Sequence, residues 1–355
     1  MKIAHFEIEE EEKKVFLQQN LAEQEHTFFL DPLNTTSLPE QKNFEVLTVF
    51  VNCQVNRPTL DAFPNLKLIV ARSTGFDNID LEYAKNKGII VCNVPAYGSH
   101  TVAEYTFGLI LALSRKINQA VNRVKIGFDF DFEGLRGFDL NGKTLGVVGT
   151  GKIGVNVIKI AKGFGMNILA SDAYPNQELS QSLNFTYLPL EHLLQQADVV
   201  TLHVPYLPQT HHLIHKENIF LMKRGAYLVN TSRGAVVETE ALFQALIQEH
   251  LGGAALDVLE EEVELKEEAE LLSKNKIPTV KFKNVLENHI LINQPNVLIT
   301  PHMAFYTKEA EQSILQTTVD NIKGFLENTP ENIVNVNALK TAPPPVLTTP
   351  AATPG

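Results

Sequence analysis

The chain has 355 residues, of which 44% are hydrophobic and 20% charged, and its formal net charge is −11 at pH 7. This length and apolar content allow two domains of ordinary size, each with a buried core. The acidic balance argues against nucleic acid or an anionic membrane as a partner, because both are bound through basic surface. The first residues lack a basic and then apolar leader, and no apolar run is long enough to span a bilayer, so we expect a cytoplasmic protein.

Short β-branched runs alternate with helical patterns along most of the chain. The first series contains KIAHFEI, VLTVFVN, LKLIVARST and IIVCNVP. The second contains TLGVVG, MNILASD, DVVTLHVP, AYLVNTS, GGAALDV and NVLITP. Strands separated by helix-length segments are typical of parallel sheets with helices on their faces. The two series therefore predict an α/β protein with two doubly wound parallel-sheet domains. Cys53 and Cys92 lie in such apolar runs and fit either buried thiols or a disulfide, without metal-ligand spacing.

The segment TVAEYTFGLILALSRK, between the two series, predicts a long helix. It opens with a capping-box pattern, in which Thr101 is followed three residues later by Glu104. The following turns are apolar almost all round, so we expect the helix to be buried. The pattern fits an interface between domains, an interface between subunits and the core of one domain equally well.

A glycine-rich run in the second series indicates a nucleotide site. Gly149, Gly151 and Gly154 follow a strand and open a helix with apolar periodicity, and Asp172 ends the next strand about twenty residues further on. The glycines permit a tight turn and bring backbone N–H groups close to a pyrophosphate at the helix N-terminus. Asp172 can accept hydrogen bonds from ribose hydroxyls and would repel a 2′-phosphate. The pattern therefore predicts NAD rather than NADP as the cofactor.

Three further strand ends in the second series carry polar side chains. Arg233 follows one strand, Asp257 and Glu260–Glu262 follow another, and His302 follows the last. Taken separately, they fit a surface ion pair, a solvated charge run and a hydrogen-bonded structural histidine. Together they fall at carboxyl ends of strands in one sheet, where ligands of this fold collect. An arginine for the carboxylate, a histidine for the proton and a carboxylate that favours the imidazolium suit hydride transfer to a 2-oxo acid.

Six motifs, in their order, resemble the NAD-dependent D-2-hydroxyacid dehydrogenase family: RSTGFDNID, NVPAYGSHTVAE, GKTLGVVGTGKIG, NTSRGAVVE, AALDVLEEE and NVLITPHMAFYT. The runs EGLRGFDLNGKTLGVVGTGKIG and PHMAFYT are most similar to its D-lactate dehydrogenase branch. The resemblance implies NADH-dependent reduction of pyruvate to D-lactate. Three alternatives remain: a branched 2-oxo acid or glyoxylate/hydroxypyruvate as substrate, formate or phosphite oxidation, and a non-catalytic NAD-sensing protein of the same fold.

The resemblance also implies a domain organisation. A Rossmann NAD-binding domain over 101–299 is inserted into a discontinuous, flavodoxin-like substrate domain over 1–100 and 300–337. It implies an active site in the cleft and a homodimer built around the long helix. From composition, we expect a surface excursion over 260–295 and a disordered tail over 338–355.

Site residues follow from the resemblance motif by motif. Arg233 is expected to bind the substrate and His302 to be the acid/base, with Glu262 as the partner of the histidine. Glu260 and Glu261 are the alternative registers of that partner. The positions implied for the substrate are Thr74, Gly75, Tyr97 and Phe305. The positions implied for the cofactor are Gly149, Gly151, Lys152, Ile153, Gly154, Asp172, Val204, Pro205, Thr210, Thr231, Ser232 and Asp257.

Overall fold

The computed structural model describes residues 1–18, 21, 23–260 and 287–335. Its strands are β1 (Lys2–His5), β2 (Glu25–Phe28), β3 (Val46–Val49), β4 (Leu68–Ala71), β5 (Ile90–Cys92), β6 (Thr144–Val148), β7 (Asn167–Ser171), β8 (Thr186–Tyr187), β9 (Val199–Leu202), β10 (Tyr227–Asn230), β11 (Gly253–Leu256) and β12 (Val297–Ile299). Its α-helices include α1 (Glu10–Gln18), α2 (Arg57–Asp61), α3 (Leu81–Asn86), α4 (Ser99–Ser114), α5 (Ile117–Gly127), α6 (Lys152–Gly163), α7 (Gln177–Leu183), α8 (Leu190–Gln196), α9 (Thr239–Ile247) and α10 (Lys308–Leu326).

The chain divides into two compact units, each with its own sheet. The first unit contains Met1–Tyr97 and the described residues from Glu311 onward, and the second contains Gly98–Ala310. The second unit thus continues past residue 300, where the return to the first domain was predicted. The reason is that Thr300, His302, Met303 and Ala304 are hydrogen-bonded to Asp257 of the second unit. The predicted tail and most of the predicted excursion lie outside the described residues.

Both sheets are parallel, and their strand orders identify the fold class. The first sheet has the order β2-β1-β3-β4-β5, which is the flavodoxin-like order. The second has the order β12-β11-β10-β9-β6-β7-β8, which extends the Rossmann order by one strand. All four residues of β4 and of β9 are buried, as expected for parallel strands covered on both faces. The predicted fold class is confirmed.

Helix α4 belongs to the core of the second unit. Val102, Phe107 and Ile110 are buried, and the last two share one apolar cluster with Val157 and Ile158 of α6. Its apolar pattern is therefore explained by packing within its own unit. The predicted capping box is wrong, because the helix begins at Ser99, with Gly98 at the N-cap and no side-chain cap bond.

The two cysteines are both free and buried, which excludes the disulfide. The Cys53 thiol donates a hydrogen bond to a Glu7 carboxylate oxygen at 3.2 Å. Burial raises the pKa of this thiol to about 12, so it stays protonated at neutral pH. Among the described helices, none combines the length and the apolar content that a bilayer crossing requires.

Candidate active site

The carboxyl ends of the second unit's strands lie along one edge of its sheet. This arrangement follows from the parallel pairing of all seven strands. Residues at or directly after these ends are Gly149, Asp172, His203, Asn230, Asp257 and Thr300. The edge therefore brings together most of the polar positions singled out in the second half of the sequence. The reversal of strand order between β6 and β9 marks the place where ligands of this fold bind.

The glycine turn after β6 has the shape that a pyrophosphate requires. Gly149 has φ 92°, and a Cβ there would lie 2.6 Å from the His203 carbonyl oxygen. A Cβ on Gly154 would lie 2.0 Å from the Gly149 carbonyl oxygen, so this glycine permits the helix to pack on the turn. A Cβ on Gly151 would have no neighbouring atom of the described residues within 4 Å. Helix α6 begins at Lys152 without a side-chain cap, which leaves its first N–H groups suited to a phosphate.

Asp172 is held beside the glycine turn at the end of β7. One carboxylate oxygen accepts the Thr150 N–H at 2.6 Å and the Thr150 hydroxyl at 2.8 Å. The other oxygen accepts the Tyr174 N–H at 2.8 Å. The Thr150 hydroxyl also lies 2.8 Å from the Tyr187 hydroxyl. A carboxylate fixed beside a phosphate turn is where the ribose diol of a dinucleotide is recognised, so the residues present fit NAD.

The loop after β9 contacts the glycine turn, and the Thr210 hydroxyl forms hydrogen bonds within this loop. Val204 carries a methyl group that a Cβ on Gly149 would approach to 3.0 Å. The Thr210 hydroxyl donates to the Pro205 carbonyl oxygen at 2.6 Å and accepts the Leu207 N–H at 2.8 Å. Thr210 therefore shapes the loop, and its predicted contact with the cofactor stays a prediction.

Arg233 stands on a turn that Asn230 organises at the end of β10. The buried Asn230 side chain donates to the Arg233 carbonyl oxygen at 2.9 Å. It accepts the Ser232 N–H at 3.0 Å and the Ser232 hydroxyl at 2.7 Å. The Thr231 hydroxyl lies 3.1 Å from the Thr106 hydroxyl on α4. Asn230 was not predicted from the sequence, where its only signal is an amide side chain at the end of an otherwise apolar strand.

Asp257 holds the loop that carries His302. Its carboxylate accepts the Thr300 hydroxyl at 2.6 Å, the Met303 N–H at 3.0 Å and the Ala304 N–H at 2.8 Å. Its carbonyl oxygen accepts the His302 N–H at 2.8 Å. Burial raises the pKa of Asp257, against the opposing effect of these hydrogen bonds and of His302.

His302 itself has φ 55°, a left-handed conformation that costs a non-glycine residue about 1–3 kcal/mol. This conformation is maintained by the hydrogen bonds that Thr300, before His302, and Met303 and Ala304, after it, donate to the Asp257 carboxylate. Such strain is often found at functional sites, which favours the functional interpretation of His302 over a purely structural one. Arg233, Asp257 and His302 follow three neighbouring strands, because β11 pairs with both β10 and β12.

The Glu260 carboxylate is hydrogen-bonded to residues of two other loops. Its carboxylate accepts a hydrogen bond from His212 Nε2 at 2.7 Å and from the Thr239 hydroxyl at 2.8 Å. Glu261 and Glu262 lie outside the described residues, so the predicted role of Glu262 stays a prediction. Because its carboxylate already bonds His212 and Thr239, the structure argues against Glu260 as the alternative partner of His302.

In the first unit, the predicted substrate positions lie at the carboxyl ends of β4 and β5. The Thr74 hydroxyl donates to the Val94 carbonyl oxygen at 3.0 Å, and the Asn93 side chain donates to the Thr74 carbonyl oxygen at 2.8 Å. These bonds shape the turn that contains Gly75. The same edge of the sheet carries the buried Arg72, whose guanidinium carbon lies 5.0 Å from the centre of the Phe50 ring. The substrate roles of Thr74, Gly75, Tyr97 and Phe305 stay predictions.

His203, directly after β9, is a further residue that was not predicted from the sequence. Its Nε2 lies 2.9 Å from the Thr201 hydroxyl, and its buried Nδ1 has no hydrogen-bond partner among the described residues. Burial lowers the pKa of His203 from 6.5 to about 3. The imidazole is therefore neutral at pH 7.

A neutral buried histidine makes stability depend on pH in a predictable direction. Because its pKa is lower in the folded chain, His203 contributes stability above pH 6.5 that is lost as pH falls towards 3. Each pH unit in this window costs about 1.4 kcal/mol. Between pH 7.5 and pH 5, His203→Gln is expected to lose about 2 kcal/mol less unfolding free energy than the unaltered protein. Urea unfolding at both pH values measures this, with the exposed His192→Gln as control. Equal losses in all three proteins would contradict the assignment.

Comparisons with known proteins agree with this geometry. Residues 107–304 match the family model of the D-isomer specific 2-hydroxyacid dehydrogenase NAD binding domain. The 2-hydroxyacid dehydrogenase homolog 1 of Schizosaccharomyces pombe is 40% identical over 340 residues, covering 94% of this chain and 99% of that protein. The D-lactate dehydrogenase of Escherichia coli is 38% identical over 328 residues, covering 92% and 97%.

Among solved structures, the D-lactate dehydrogenase of Aquifex aeolicus, complexed with NAD and lactic acid, superimposes with a TM-score of 0.83. It is 37% identical, and the match covers 94% of this chain and 99% of that one. The family predicted from the motifs and the predicted cofactor are both confirmed. The chain belongs to the D-isomer-specific 2-hydroxyacid dehydrogenase family and uses NAD as its cofactor.

Proposed function

We propose that the protein is a D-lactate dehydrogenase that reduces pyruvate to D-lactate with NADH, reversibly. The observation that carries the proposal is the His302 loop, held in a strained left-handed conformation by Asp257 on the strand next to that of Arg233. A histidine whose backbone is held at the end of β12, and an arginine after β10 on the same edge of the sheet, are the residue types that reduction of a 2-oxo acid requires.

In the proposed reaction, Arg233 binds the substrate carboxylate and polarises the ketone. NADH, when bound, supplies the hydride that reaches the ketone carbon. His302 donates its proton to the ketone oxygen, so that the hydride and the proton together convert the C=O group to CH–OH. The products are the 2-hydroxy acid and NAD⁺, and His302 regains a proton from solvent. In the reverse direction, neutral His302 accepts the proton of the hydroxyl group.

Asp257 has a positioning role in this scheme. Its carboxylate accepts hydrogen bonds from Thr300, Met303 and Ala304, and these bonds fix the backbone of the loop that contains His302. We propose Glu262 as the residue that partners the His302 ring. Tyr97 and Phe305 are each proposed to contact the substrate, and their bulk is proposed to favour a methyl group over a long chain.

The test of the proposed function is NADH consumption with pyruvate, followed by chiral analysis of the lactate. We expect D-lactate, and a higher kcat/KM for pyruvate than for 2-oxoisocaproate, glyoxylate or hydroxypyruvate. L-lactate, or a large preference for 2-oxoisocaproate, would refute the assignment to pyruvate and D-lactate. Failure to oxidise NADH with any small 2-oxo acid would favour the non-catalytic alternative.

Cofactor discrimination is expected to depend on Asp172. Removing its carboxylate in Asp172→Ala eliminates acceptors for the ribose hydroxyls and the charge that repels a 2′-phosphate. We expect NADH binding to weaken by about 1–3 kcal/mol, while NADPH becomes relatively better bound. Fluorescence titration with both cofactors measures this, with Asp139→Ala as a control away from the turn. An unchanged ratio of the two dissociation constants would exclude Asp172 as the ribose acceptor.

We also propose that the protein is a homodimer that functions in the reducing cytoplasm. Its two cysteines are free and buried, which fits such a compartment.

The proposed contact surface of the homodimer is α5 together with the segment FDFDFE (residues 128–133). Helix α5 has no buried residue, and Phe128, Phe130 and Phe132 are 85%, 81% and 84% exposed. The Arg123 guanidinium holds this segment by donating to the Asp131 and Glu133 carbonyl oxygens at 2.7 and 2.8 Å.

Large apolar side chains exposed this close together in the sequence favour an interaction site, and a second copy of the chain would bury them. Phe130→Asp is expected to convert the dimer to a monomer, because it places a charge within the proposed apolar contact surface. Light scattering coupled to size exclusion measures the mass. The control is Leu30→Asp, an exposed apolar residue of the first unit that is 67% exposed. A Phe130→Asp protein that remains dimeric would show that this surface is not the interface.

A further inference from the structure

Three loops at the carboxyl edge of the second sheet converge on the carboxylate of Glu260. His212, from the loop after β9, donates its Nε2–H to Oε1 at 2.7 Å. Thr239, which opens α9 after β10, donates its hydroxyl to Oε2 at 2.8 Å and its N–H to the same oxygen at 3.3 Å. Glu260 itself follows β11. We refer to Glu260, His212 and Thr239 as the edge clamp.

The edge clamp is more shielded than an ordinary surface ion pair. The Glu260 side chain is 12% exposed and that of His212 is 31% exposed. The His211 ring stacks on the His212 ring with centroids 3.9 Å apart, which restricts His212 further. Hydrogen bonds to a charged acceptor in such a place contribute more than those of exposed pairs, which are worth little.

The edge clamp lies directly against the turn of Arg233. A Cβ on Gly234 would lie 2.0 Å from the Leu259 carbonyl carbon and 2.4 Å from the Glu260 nitrogen, so the backbones of the two turns are in contact. The His212 N–H donates to the Ala235 carbonyl oxygen at 2.8 Å. A displacement of Glu260 or His212 would therefore shift the surface on which the Arg233 turn rests. The same turn is also held by Asn230.

We propose that Glu260 and His212 are positioning residues for Arg233 and thereby set the affinity for the carboxylate of the 2-oxo acid. The inference rests on the proposed role of Arg233 in the function above. It gives Glu260 a role of its own, separate from that of Glu262. Because His212 and Glu260 touch the loops of three strands, they fix the arginine relative to the rest of the edge.

The test compares variants that break the edge clamp without removing bulk. Glu260→Gln places an amide N–H₂ against either the His212 donor or the Thr239 donors, so one side of the clamp loses its acceptor. His212→Leu removes the donor, whereas His212→Gln retains an N–H at the position of Nε2. For Glu260→Gln and His212→Leu we expect KM for pyruvate and Ki for oxamate to rise by about 5–30-fold. We expect kcat to fall by less than KM rises, the NADH dissociation constant to stay within about twofold, and His212→Gln to restore most of the affinity.

Matched controls are Glu191→Gln and His192→Leu, which alter exposed residues of the same unit. If KM and Ki are unchanged in both clamp variants while Arg233→Gln raises them, the positioning role is wrong and the proposed function stands. If Arg233→Gln leaves them unchanged, the proposed function itself fails. An equal weakening of NADH and oxamate binding, or no recovery in His212→Gln, would show a general structural role. A collapse of kcat in Glu260→Gln without a change in KM would place Glu260 in the chemical step.

Discussion

Substitution of His302 by asparagine is expected to lower kcat for 2-oxo acid reduction by about 10²–10⁴-fold, because the proton donor is lost. Asparagine is the appropriate replacement, since it tolerates the left-handed backbone that His302 adopts at φ 55° better than other side chains except glycine. The hydrogen bonds from Thr300, Met303 and Ala304 to Asp257 should therefore survive. NADH binding should stay within about twofold, because the variant leaves the glycine turn intact.

Two measurements check this expectation: steady-state kinetics in both directions and fluorescence titration with NADH. Oxidation of the 2-hydroxy acid should fall by a similar factor, since the same ring accepts the proton in the reverse direction. His192→Asn, on the exposed face of α8, is the matched control and should retain full activity. A His302→Asn protein that keeps more than about a tenth of its kcat would show that another group donates the proton.

The features that sequence predicted well are those with a short-range pattern. Apolar β-branched runs gave both parallel sheets, because strands covered on both faces need no alternation of polar residues. The glycines at 149, 151 and 154 were recognisable by their spacing, and each has a different surrounding in the structure. Gly149 adopts a positive φ. A Cβ at position 154 would collide with the backbone of Gly149, whereas a Cβ at position 151 would point into open space.

The features that sequence did not predict depend on contacts between distant residues. The edge clamp joins His212 to Glu260 across 48 positions, and no local pattern singles out one glutamate of three. The left-handed backbone of His302 is imposed by Asp257, since neither Pro301 nor Met303 marks such a turn. The start of α4 was misplaced because Thr101 and Glu104 have the spacing of a capping box, although the helix already begins at Ser99.

Loss of the Arg233 guanidinium is the second large effect that we expect. In Arg233→Gln, the substrate carboxylate loses its charged donors, each worth about 1.5–3 kcal/mol as a charge-assisted hydrogen bond. We expect kcat/KM for pyruvate to fall by about 10²–10⁴-fold, with a large part of the loss in KM. The kcat/KM of Arg233→Lys should lie between those of the unaltered protein and Arg233→Gln, because lysine keeps the positive charge but cannot form two parallel hydrogen bonds. Steady-state kinetics and oxamate inhibition measure both variants.

The turn itself should survive these substitutions. Asn230 holds it through the backbone carbonyl of Arg233 and through Ser232, and neither bond involves the guanidinium. The Arg233 Nη1 donates a hydrogen bond to the Ser232 carbonyl oxygen at 2.8 Å. NADH affinity is therefore the internal control and should remain within about twofold. If Arg233→Gln lost NADH binding and oxamate binding together, the arginine would be supporting the whole sheet edge. If it lost neither, the substrate carboxylate would be bound by another group.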